Sequence, residues 1–356
     1  MSPHAADVDV ELNALPPLET LHALWRAVET RGEGSFFLSW AWISAWLSLC
    51  RLDASYRLLC ARRKGNVVGL AIFRQVGFEL YLHQCGDSVL DSVFIEYNGF
   101  LVTDAAVREA MFTFLARTRG WSTLHIAGAD RAAAEAALDT ELHDGVRRRI
   151  CPWIDLEALA PGLDGYLGVL SANTRQQIRR SLRLCMDMRL EVVRRENAAP
   201  ALAQLQALHE SAWLQRNGTR GAFACAHFAP FIRTLAQSPG VDLLRVTAGG
   251  ECVGILLNFT HAGHVYAYQS GLNYTDDNRF KPGLMSHAMA IAHYREQGMH
   301  AYHFMAGEGQ YKRSLGTKTE ELAWMTLRPP GAVAFVQHYL TSFRKRIAER
   351  AARIKL

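Results

Sequence analysis

Residues 56–76, YRLLCARRKGNVVGLAIFRQV, contain two apolar runs that are joined by a short polar segment with a glycine. Such runs around a glycine-containing turn are typical of a β-hairpin. The pattern returns at residues 242–258, DLLRVTAGGECVGILLN. The matching positions share one offset (243 − 58 = 185) and are Leu58 with Leu243, Gly65 with Gly250, and Ile72 with Leu257. The two hairpins predict an internal repeat, and this repeat decides the fold.

Each hairpin is followed by further strands and a helix. In the first half we expect strands at 78–85 and 92–102, a helix at 104–120 and a strand at 122–128. In the second half we expect a strand at 264–272, a helix at 284–298 and a strand at 301–306. The segment PWIDLEALAPGLDG breaks the periodicity between them. The sequence therefore predicts two similar α/β modules, residues 1–155 and 156–330.

Three other segments have the apolar spacing of amphipathic helices. The first is 17–32, and the second is 35–50, where Ser35 or Ser39 is the expected N-cap. The tryptophans of the second helix are expected in the core. The third segment, 331–356, predicts a basic C-terminal helix. Its cations could contact anionic lipid, although a solvated face is the favoured interpretation.

Composition limits the classes of function. The net charge of +5 and the pI near 8.8 suit an anionic ligand but fall short of the concentrated basic face of a DNA-binding protein. Seven cysteines without CxxC spacing argue against a disulfide framework and against a zinc site, so no metal is expected. No signal peptide or membrane-spanning run is evident, and we expect a cytoplasmic protein.

An arginine-rich helix is predicted directly after the module boundary. In SANTRQQIRRSLRLCMDMRLEVVR, Arg175, Arg179 and Arg183 recur every four residues. Like charges at this spacing repel one another, so the face either contacts water or holds an anion. Both alternatives are open, and Arg175 and Arg179 are candidate substrate ligands.

A polar loop connects the strand 264–272 to the following helix. It contains Arg279 and Lys281, and Pro282 and Gly283 mark the helix start. The first amides of a helix have no intrahelical partner and the dipole favours negative charge there. Arg279, Lys281, Gly283 and Leu284 are therefore candidate phosphate or cofactor ligands.

The stretch HFMAGEGQYKRSLG, residues 303–316, follows an apolar strand. The ends of strands in open α/β sheets carry functional side chains. His303 is either a buried, satisfied core histidine or a catalytic group. Tyr311 either donates a proton or anchors a loop by its hydroxyl, and Lys312 either meets a phosphate or carboxylate or points to solvent.

The first module has a polar loop of its own, CGDSVLDSVFIEYNGF. Asp87, Glu96 and Tyr97 of this loop are candidate contacts for an acceptor between the modules, and Tyr268 of the second module is added to them. No basic, glycine-bearing turn precedes the first module's helix, so one cofactor site is expected, in the second module.

The order of these features resembles the FemAB-like and CelD-like acyltransferases, which carry two tandem GNAT modules. The resemblance covers nearly the whole chain and is carried by FFLSWAWISAW, NTRQQIRRSLRL and GEGQYKRSLG. It implies an α/β (α+β) fold in which each module is a mixed, mostly antiparallel sheet flanked by helices. Tyr302-His303-Phe304 stands where the family has an aspartate, so no mechanism through an aspartate at 303 is implied.

The resemblance also implies a chemistry. Acyl-CoA would place its pyrophosphate on the loop from Arg279 to Gly283, and an amine would attack the thioester. Glu308 and His303 are the preferred bases and Tyr311 the preferred general acid.

The leading expectation is an acyl-CoA-dependent N-acyltransferase acting on an amino sugar, an amino acid or a surface-polysaccharide precursor. The alternatives are a Fem-type transferase that uses aminoacyl-tRNA and a catalytically silent GNAT-like binding protein.

Overall fold

The computed structural model describes residues 7–142, 145–185, 187–307 and 309–331. Glu308 and all but the first residue of the predicted helix 331–356 lie outside these ranges. The helices are α1 (Leu18–Glu29), α2 (Trp40–Leu49), α3 (Ala105–Arg117), α4 (Arg131–Leu138), α5 (Gly162–Val169), α6 (Ala172–Arg183), α7 (Ala198–Asn217), α8 (Phe228–Leu235), α9 (Pro282–Glu296) and α10 (Gln310–Leu315).

The strands alternate with these helices in both halves of the chain. They are β1 (Asp9–Ala14), β2 (Tyr56–Arg63), β3 (Asn66–Val76), β4 (Glu79–Leu82), β5 (Leu101–Val102), β6 (Thr123–Ala129), β7 (Val146–Asp155), β8 (Arg189–Val192), β9 (Val241–Ala248), β10 (Glu251–His261), β11 (His264–Leu272), β12 (Ala301–His303) and β13 (Lys318–Leu327).

The two hairpins of the sequence repeat have the same bounds and the same register. Strands β9 and β10 begin 185 residues after β2 and β3 (241 − 56 = 185 and 251 − 66 = 185). Leu58 lies opposite Ile72, as Leu243 lies opposite Leu257. A register shift of one residue would move every side chain to the other face of the sheet. Because the register is the same in both hairpins, the matching apolar residues lie on the same face in both. The predicted repeat is confirmed.

All strands join one continuous sheet in the order β1-β2-β3-β4-β6-β13-β7-β12-β11-β10-β9-β8, with β5 paired to β3. The pairs β4–β6 and β11–β12 are parallel and the other pairs are antiparallel. Strand β13 lies between β6 and β7, and β7 lies between β13 and β12. Each half therefore places its last strand next to the other half. The predicted fold class is confirmed, and the sheets predicted for the two modules are joined into one continuous sheet.

Two local predictions were wrong. The expected strand 92–102 is reduced to β5, and the residues before it form a loop that the next section describes. The expected helix 35–50 is interrupted, because Ser35 and Ser39 each accept a backbone N–H, from Phe37 (3.2 Å) and Trp42 (3.3 Å). A short 3₁₀ turn, Phe36–Leu38, therefore precedes α2.

The two faces of the sheet are covered differently. On one face α3 and α4 cover the first half, and α5, α6 and α9 cover the second half. On the other face α1, α2, α7 and α8 share a single apolar core. In this core Phe36 stacks on Phe259 with ring centroids 4.4 Å apart, and Trp42 packs edge-on to Tyr268 at 5.7 Å. Helices of the first half thus pack on strands of the second and fix the two halves together.

Candidate functional site

The parallel strands β11 and β12 separate after a short pairing. They are paired only from His264 to Tyr266, opposite Ala301 to His303. Beyond this point a cavity of about 590 Å³ opens at the end of β11. It is bounded by α6, α7, the start of α9 and α10. Four elements that are distant in sequence therefore converge on one concave site.

The start of α9 faces this cavity without a side-chain cap. Lys281 occupies the N-cap position, and its side chain makes no capping hydrogen bond. Pro282 follows at the first turn, where its missing N–H costs nothing. Gly283 and Leu284 line the cavity, and a Cβ at Gly283 would lie 3.1 Å from a methyl carbon of Leu272. The uncapped amides and the dipole make this helix end suitable for an anion.

The corresponding helix end of the first half is occupied by its own side chain. Asp104 caps α3 by accepting the N–H of Val107 at 3.1 Å, and it forms an ion pair with Arg63 at 2.8 Å. The hydrogen bond from Arg63 lowers the pKa of Asp104 below its usual range. The carboxylate thus stays charged and neutralises the helix dipole where a ligand anion would otherwise bind.

The first half also fills the gap between its parallel strands. Asn98 inserts between β4 and β6: its side-chain amide donates to the Leu82 carbonyl at 3.2 Å and its N–H donates to Gly128 at 2.9 Å. Its Oδ1 lies 2.9 Å from Nδ1 of buried His83. A second concavity, of about 690 Å³, lies elsewhere, on the sheet face over β4, β6 and β13, and the start of α3 is not part of it. Within the described part of the chain, the second half alone leaves its splayed strands open.

Tyr311 on α10 projects into the cavity. Its side chain is 43% exposed, and it stacks on His287 with ring centroids 5.9 Å apart. The Tyr311 ring is both accessible to solvent and enclosed by protein because it forms part of the cavity wall. This enclosure raises the pKa of Tyr311 to about 12, so the phenol keeps its proton at neutral pH. Burial lowers the pKa of His287 to about 3, so its imidazole is neutral.

His209 on α7 also lines the cavity, although no sequence pattern pointed to it. Helix α7 approaches β11 so closely at Gly271 that a Cβ there would lie 2.3 Å from the carbonyl oxygen of Leu205. His209, one turn later, places Nδ1 3.0 Å from the Ser270 carbonyl oxygen. A carbonyl only accepts, so Nδ1 carries the proton and Nε2 holds a lone pair. Nε2 is buried beside Gly221 and has no hydrogen-bond partner, and burial lowers the pKa of the ring.

Residues 172–313, which contain every residue of the cavity lining except Ser314, match the model of the acetyltransferase (GNAT) domain. This segment of the chain is similar to GNAT acetyltransferase domains. The structure of FemX aligns over 88% of this chain and 96% of its own, with a TM-score of 0.58 at 13% identity. The C-terminal domain of a putative lysylphosphatidylglycerol synthetase from Agrobacterium fabrum aligns over 91% and 96%, with a TM-score of 0.55 at 14% identity.

A third structure of this fold is L-PGS from Bacillus licheniformis, with a TM-score of 0.51 at 12% identity over 89% of this chain and 93% of its own. No curated protein sequence matches the chain significantly. The predicted family resemblance is confirmed by the match of residues 172–313 to the GNAT domain model, and the fold of the chain is similar to that of FemX.

In the segment that matches the GNAT model, Lys312 turns away from the cavity. Its ammonium group donates to the carbonyl oxygens of Ala306 (2.9 Å) and Met305 (3.3 Å), and burial lowers its pKa. The Ala306 N–H in turn donates to Glu96 of the first half at 2.7 Å. Burial raises the pKa of Glu96, and the positive charge of Lys312 opposes that rise. Lys312 and Glu96 therefore anchor the segment before α10, which carries Tyr311.

His303 lies in a buried polar cluster at the junction of the halves. Its Nδ1 is 2.7 Å from Oε1 of Glu320, and its Nε2 is 3.0 Å from Nδ1 of His264. The Tyr97 hydroxyl donates to the same Glu320 oxygen at 2.6 Å. Burial acts to raise the pKa of Glu320, but these hydrogen bonds outweigh burial, and the pKa is lowered. His303 lies opposite Tyr266 on β11, and Ser270, at the cavity, is four residues further along that strand. The separation along the strand is about 13 Å.

The other predicted ligands lie outside the cavity lining. Tyr268 is a core residue whose hydroxyl donates to the Phe94 carbonyl at 3.2 Å. The remaining side chains have local partners: Asp87 accepts from Val89 N–H (2.8 Å), Arg175 donates to Gly168 O (3.2 Å), Arg179 to Asp164 (3.2 Å), and Arg279 pairs with Asp277 (2.7 Å). The described residues contain no cluster of three or more histidine, cysteine or acidic side chains that could hold a metal. None of their helices is long and apolar enough to cross a bilayer.

Proposed function

We propose that this chain is an N-acyltransferase that moves an acyl group from acyl-CoA to a primary amine. The expected acceptors are an amino sugar, an amino acid or a surface-polysaccharide precursor. The observation that carries the proposal is the uncapped start of α9 at the edge of the cavity, within the matched GNAT domain. The opposite state of α3, capped by Asp104, supports a single donor site per chain.

The residues at the cavity suit the anionic part of an acyl-CoA. Gly283 and Leu284 supply unpaired helix amides, and Lys281 supplies a cation beside them. Arg216 also lines the cavity, with its guanidinium 3.8 Å from the centre of the Tyr274 ring. Among the described lining residues these two cations are the charged groups, and the polar remainder includes Asn173, Gln177 and Gln269. Such a lining favours an acceptor that bears hydroxyl or carboxylate groups over a polycationic one.

The reaction needs one proton removed and one proton supplied. As the amine nitrogen bonds to the thioester carbonyl carbon, the C–S bond breaks and the thiolate leaves. Tyr311, protonated at neutral pH, donates to the departing sulfur. His209 is the base that the cavity itself offers, since its Nε2 holds a free lone pair. Nε2 lies against Gly221, so the turn 218–221 has to shift before an amine can reach it.

The sequence predicted two bases, Glu308 and His303, and we assign them different roles. Glu308 precedes α10 in sequence and stays a second candidate base, although its position lies outside the described residues. His303 is held by Glu320 and His264 away from the cavity. We therefore assign it to the junction of the halves rather than to the proton transfer.

Thermal melting tests the donor site. CoA, acetyl-CoA and a long-chain acyl-CoA are added to wild type and to Gly283→Trp, which places a bulky ring at the start of α9. Gly168→Trp is the matched control, because a Cβ there has open space around it. A ligand that binds the native state raises the melting temperature. A rise in wild type and in the control, but not in Gly283→Trp, supports the proposal, whereas no rise with any thioester contradicts it.

A Fem-type transferase that uses aminoacyl-tRNA is the second candidate, and one observation favours it. Helix α6 lines the cavity with Thr174 and Gln177, and it also carries Arg175 and Arg179. A basic helix beside the site suits the end of an RNA. Binding of tRNA that weakens steeply with salt, and weakens further in Arg175→Gln, would favour this candidate. Response to neither thioester nor RNA would favour the catalytically silent alternative.

A further inference from the structure

Two cysteines from separate elements meet in the first half. Cys50 ends α2 and Cys85 follows β4, and their sulfur atoms are 2.9 Å apart. A disulfide has its sulfurs about 2.0 Å apart, so a shift of about 1 Å would join them. Both cysteines are free thiols, and neither is part of the cavity lining.

The surroundings hold both thiols in this arrangement. The backbone N–H of Cys85 donates to Asp91 at 2.7 Å, and its carbonyl accepts from Arg74. Cys50 is fixed at the end of its own helix, where its sulfur lies 3.3 Å from the Trp46 carbonyl oxygen. A pair that is held in register forms a bond without the loss of chain freedom that a flexible pair would face.

The two thiols have different tasks. Cys85 is 1% exposed, whereas Cys50 is partly exposed, and small reagents such as peroxide would reach the contact between the two sulfurs from the Cys50 side. The Cys50 S–H group donates to Cys85 and lowers the pKa of the Cys85 thiol, whereas the same contact raises the pKa of Cys50. A thiol that donates to Cys85 favours loss of the Cys85 proton, and the thiolate is the reactive form.

We infer that Cys50 and Cys85 form a site of covalent modification that peroxide converts into a reversible disulfide. The Cys85 thiolate attacks a peroxide oxygen, the O–O bond breaks, and the leaving hydroxide takes the Cys50 proton as water. The Cys50 thiolate then attacks the Cys85 sulfenic sulfur and displaces a second hydroxide, which is protonated from solvent. Both thiols are oxidised and one peroxide is reduced to two waters.

The other cysteines do not offer this geometry. The Cys185 sulfur lies 3.9 Å from the Met285 sulfur, and the Cys225 thiol donates to a carbonyl oxygen at Val89. Neither has a second thiol in contact. Oxidation should therefore stop at one intramolecular bond that links the end of α2 to the loop leading to Glu96 and Tyr97.

Counting thiols in the full chain tests the inference. The reduced protein has seven thiols, and brief treatment with hydrogen peroxide followed by denaturation should leave five (7 − 2 = 5). Dithiothreitol should restore all seven, and peptide mapping without reductant should find Cys50 and Cys85 in one linked species. Cys225→Ser, the control for a partly exposed cysteine, should lose the same two thiols, and Cys85→Ser should lose neither in a reversible bond.

Two results would overturn it. One is sulfinic or sulfonic acid at Cys50 or Cys85 with no linked peptide, and the other is a linked peptide that joins a different pair. The inference does not depend on acyl transfer, so these results leave the proposed function untouched.

Discussion

The Nδ1 atom of His209 lies 3.0 Å from the carbonyl oxygen of Ser270, at the end of the strand that opens the cavity. This single hydrogen bond fixes the tautomer of the ring and leaves Nε2 as a buried acceptor without a partner. A buried acceptor without a hydrogen bond costs free energy, and such costs concentrate where function needs them.

Replacing His209 should therefore impair turnover more than donor binding. In His209→Gln we expect kcat to fall by about 100-fold, the usual contribution of a general base, with the affinity for acetyl-CoA unchanged. His300→Gln, at an exposed histidine that pairs with Glu157, should leave both values unchanged. Steady-state kinetics with each variant would check this, and a His209→Gln variant with wild-type kcat would remove the residue from the mechanism.

The pH dependence of the wild type follows from the same histidine. Burial lowers the pKa of His209, so its neutral, proton-accepting form persists below the ordinary value of 6.5. The acid limb of kcat/KM should accordingly fall below pH 6.5, and activity should be lost as the pH drops through it. An acid limb above pH 6.5 in the wild type would contradict this assignment.

Tyr311 should act on the leaving group. Tyr311→Phe removes the proton donor and should lower kcat by about 100-fold while the ring still lines the cavity. With a pKa of about 12, the wild-type phenol stays protonated through the alkaline range in which amines become more nucleophilic. The control is Tyr81→Phe, a tyrosine of the first half whose hydroxyl donates to Glu79. Equal losses of activity in the two variants would argue against a specific role.

Lys312 should matter for stability, because its ammonium group serves two carbonyl oxygens in the interior. Lys312→Met would leave both acceptors buried and unpaired, so we expect the free energy of unfolding to fall by about 2 kcal/mol. Lys318→Met, which removes an exposed ion pair with Asp155, should cost less than about 1 kcal/mol. Denaturant unfolding compares the two, and a larger loss in Lys318→Met would refute the anchoring role.

The cluster around His303 should make stability depend on acid. The pKa of Glu320 is lowered in the fold, so its contribution is present above the ordinary value of 4.5 and is lost as the pH falls through the folded value. Glu320→Gln should flatten this part of the stability profile. Urea unfolding between pH 3 and pH 7 measures it, and parallel profiles for variant and wild type would show that Glu320 contributes nothing.

Local signals predicted the repeated hairpins and the start of α9. Turn glycines and apolar runs can be recognised within a short stretch of sequence. The same is true of a Pro-Gly pair that follows basic residues. Strand β7 was missed because Pro152 lacks an N–H and reads as a break, yet it pairs opposite Thr319 in the middle of the sheet. The exchange of last strands depends on partners more than a hundred residues away, which no local window contains.

The site shows the same division. Gly283 and Tyr311 were identified because their neighbours in sequence carry the pattern. His209 was missed because its partner Ser270 is 61 residues away and α7 shows no local motif. Lys312 was predicted as a cofactor ligand from its charge and from the resemblance of GEGQYKRSLG to the family. The backbone carbonyls that hold it become its partners only when the chain folds around Gly307.

The central claim is that the second half alone binds an acyl-CoA, at the start of α9. Isothermal titration of acetyl-CoA into the full chain tests it most directly, with Gly283→Trp and Gly168→Trp titrated alongside. We expect one site per chain in wild type and in Gly168→Trp, and no binding in Gly283→Trp. Two sites per chain, unchanged binding in Gly283→Trp, or no binding to the wild type would contradict it.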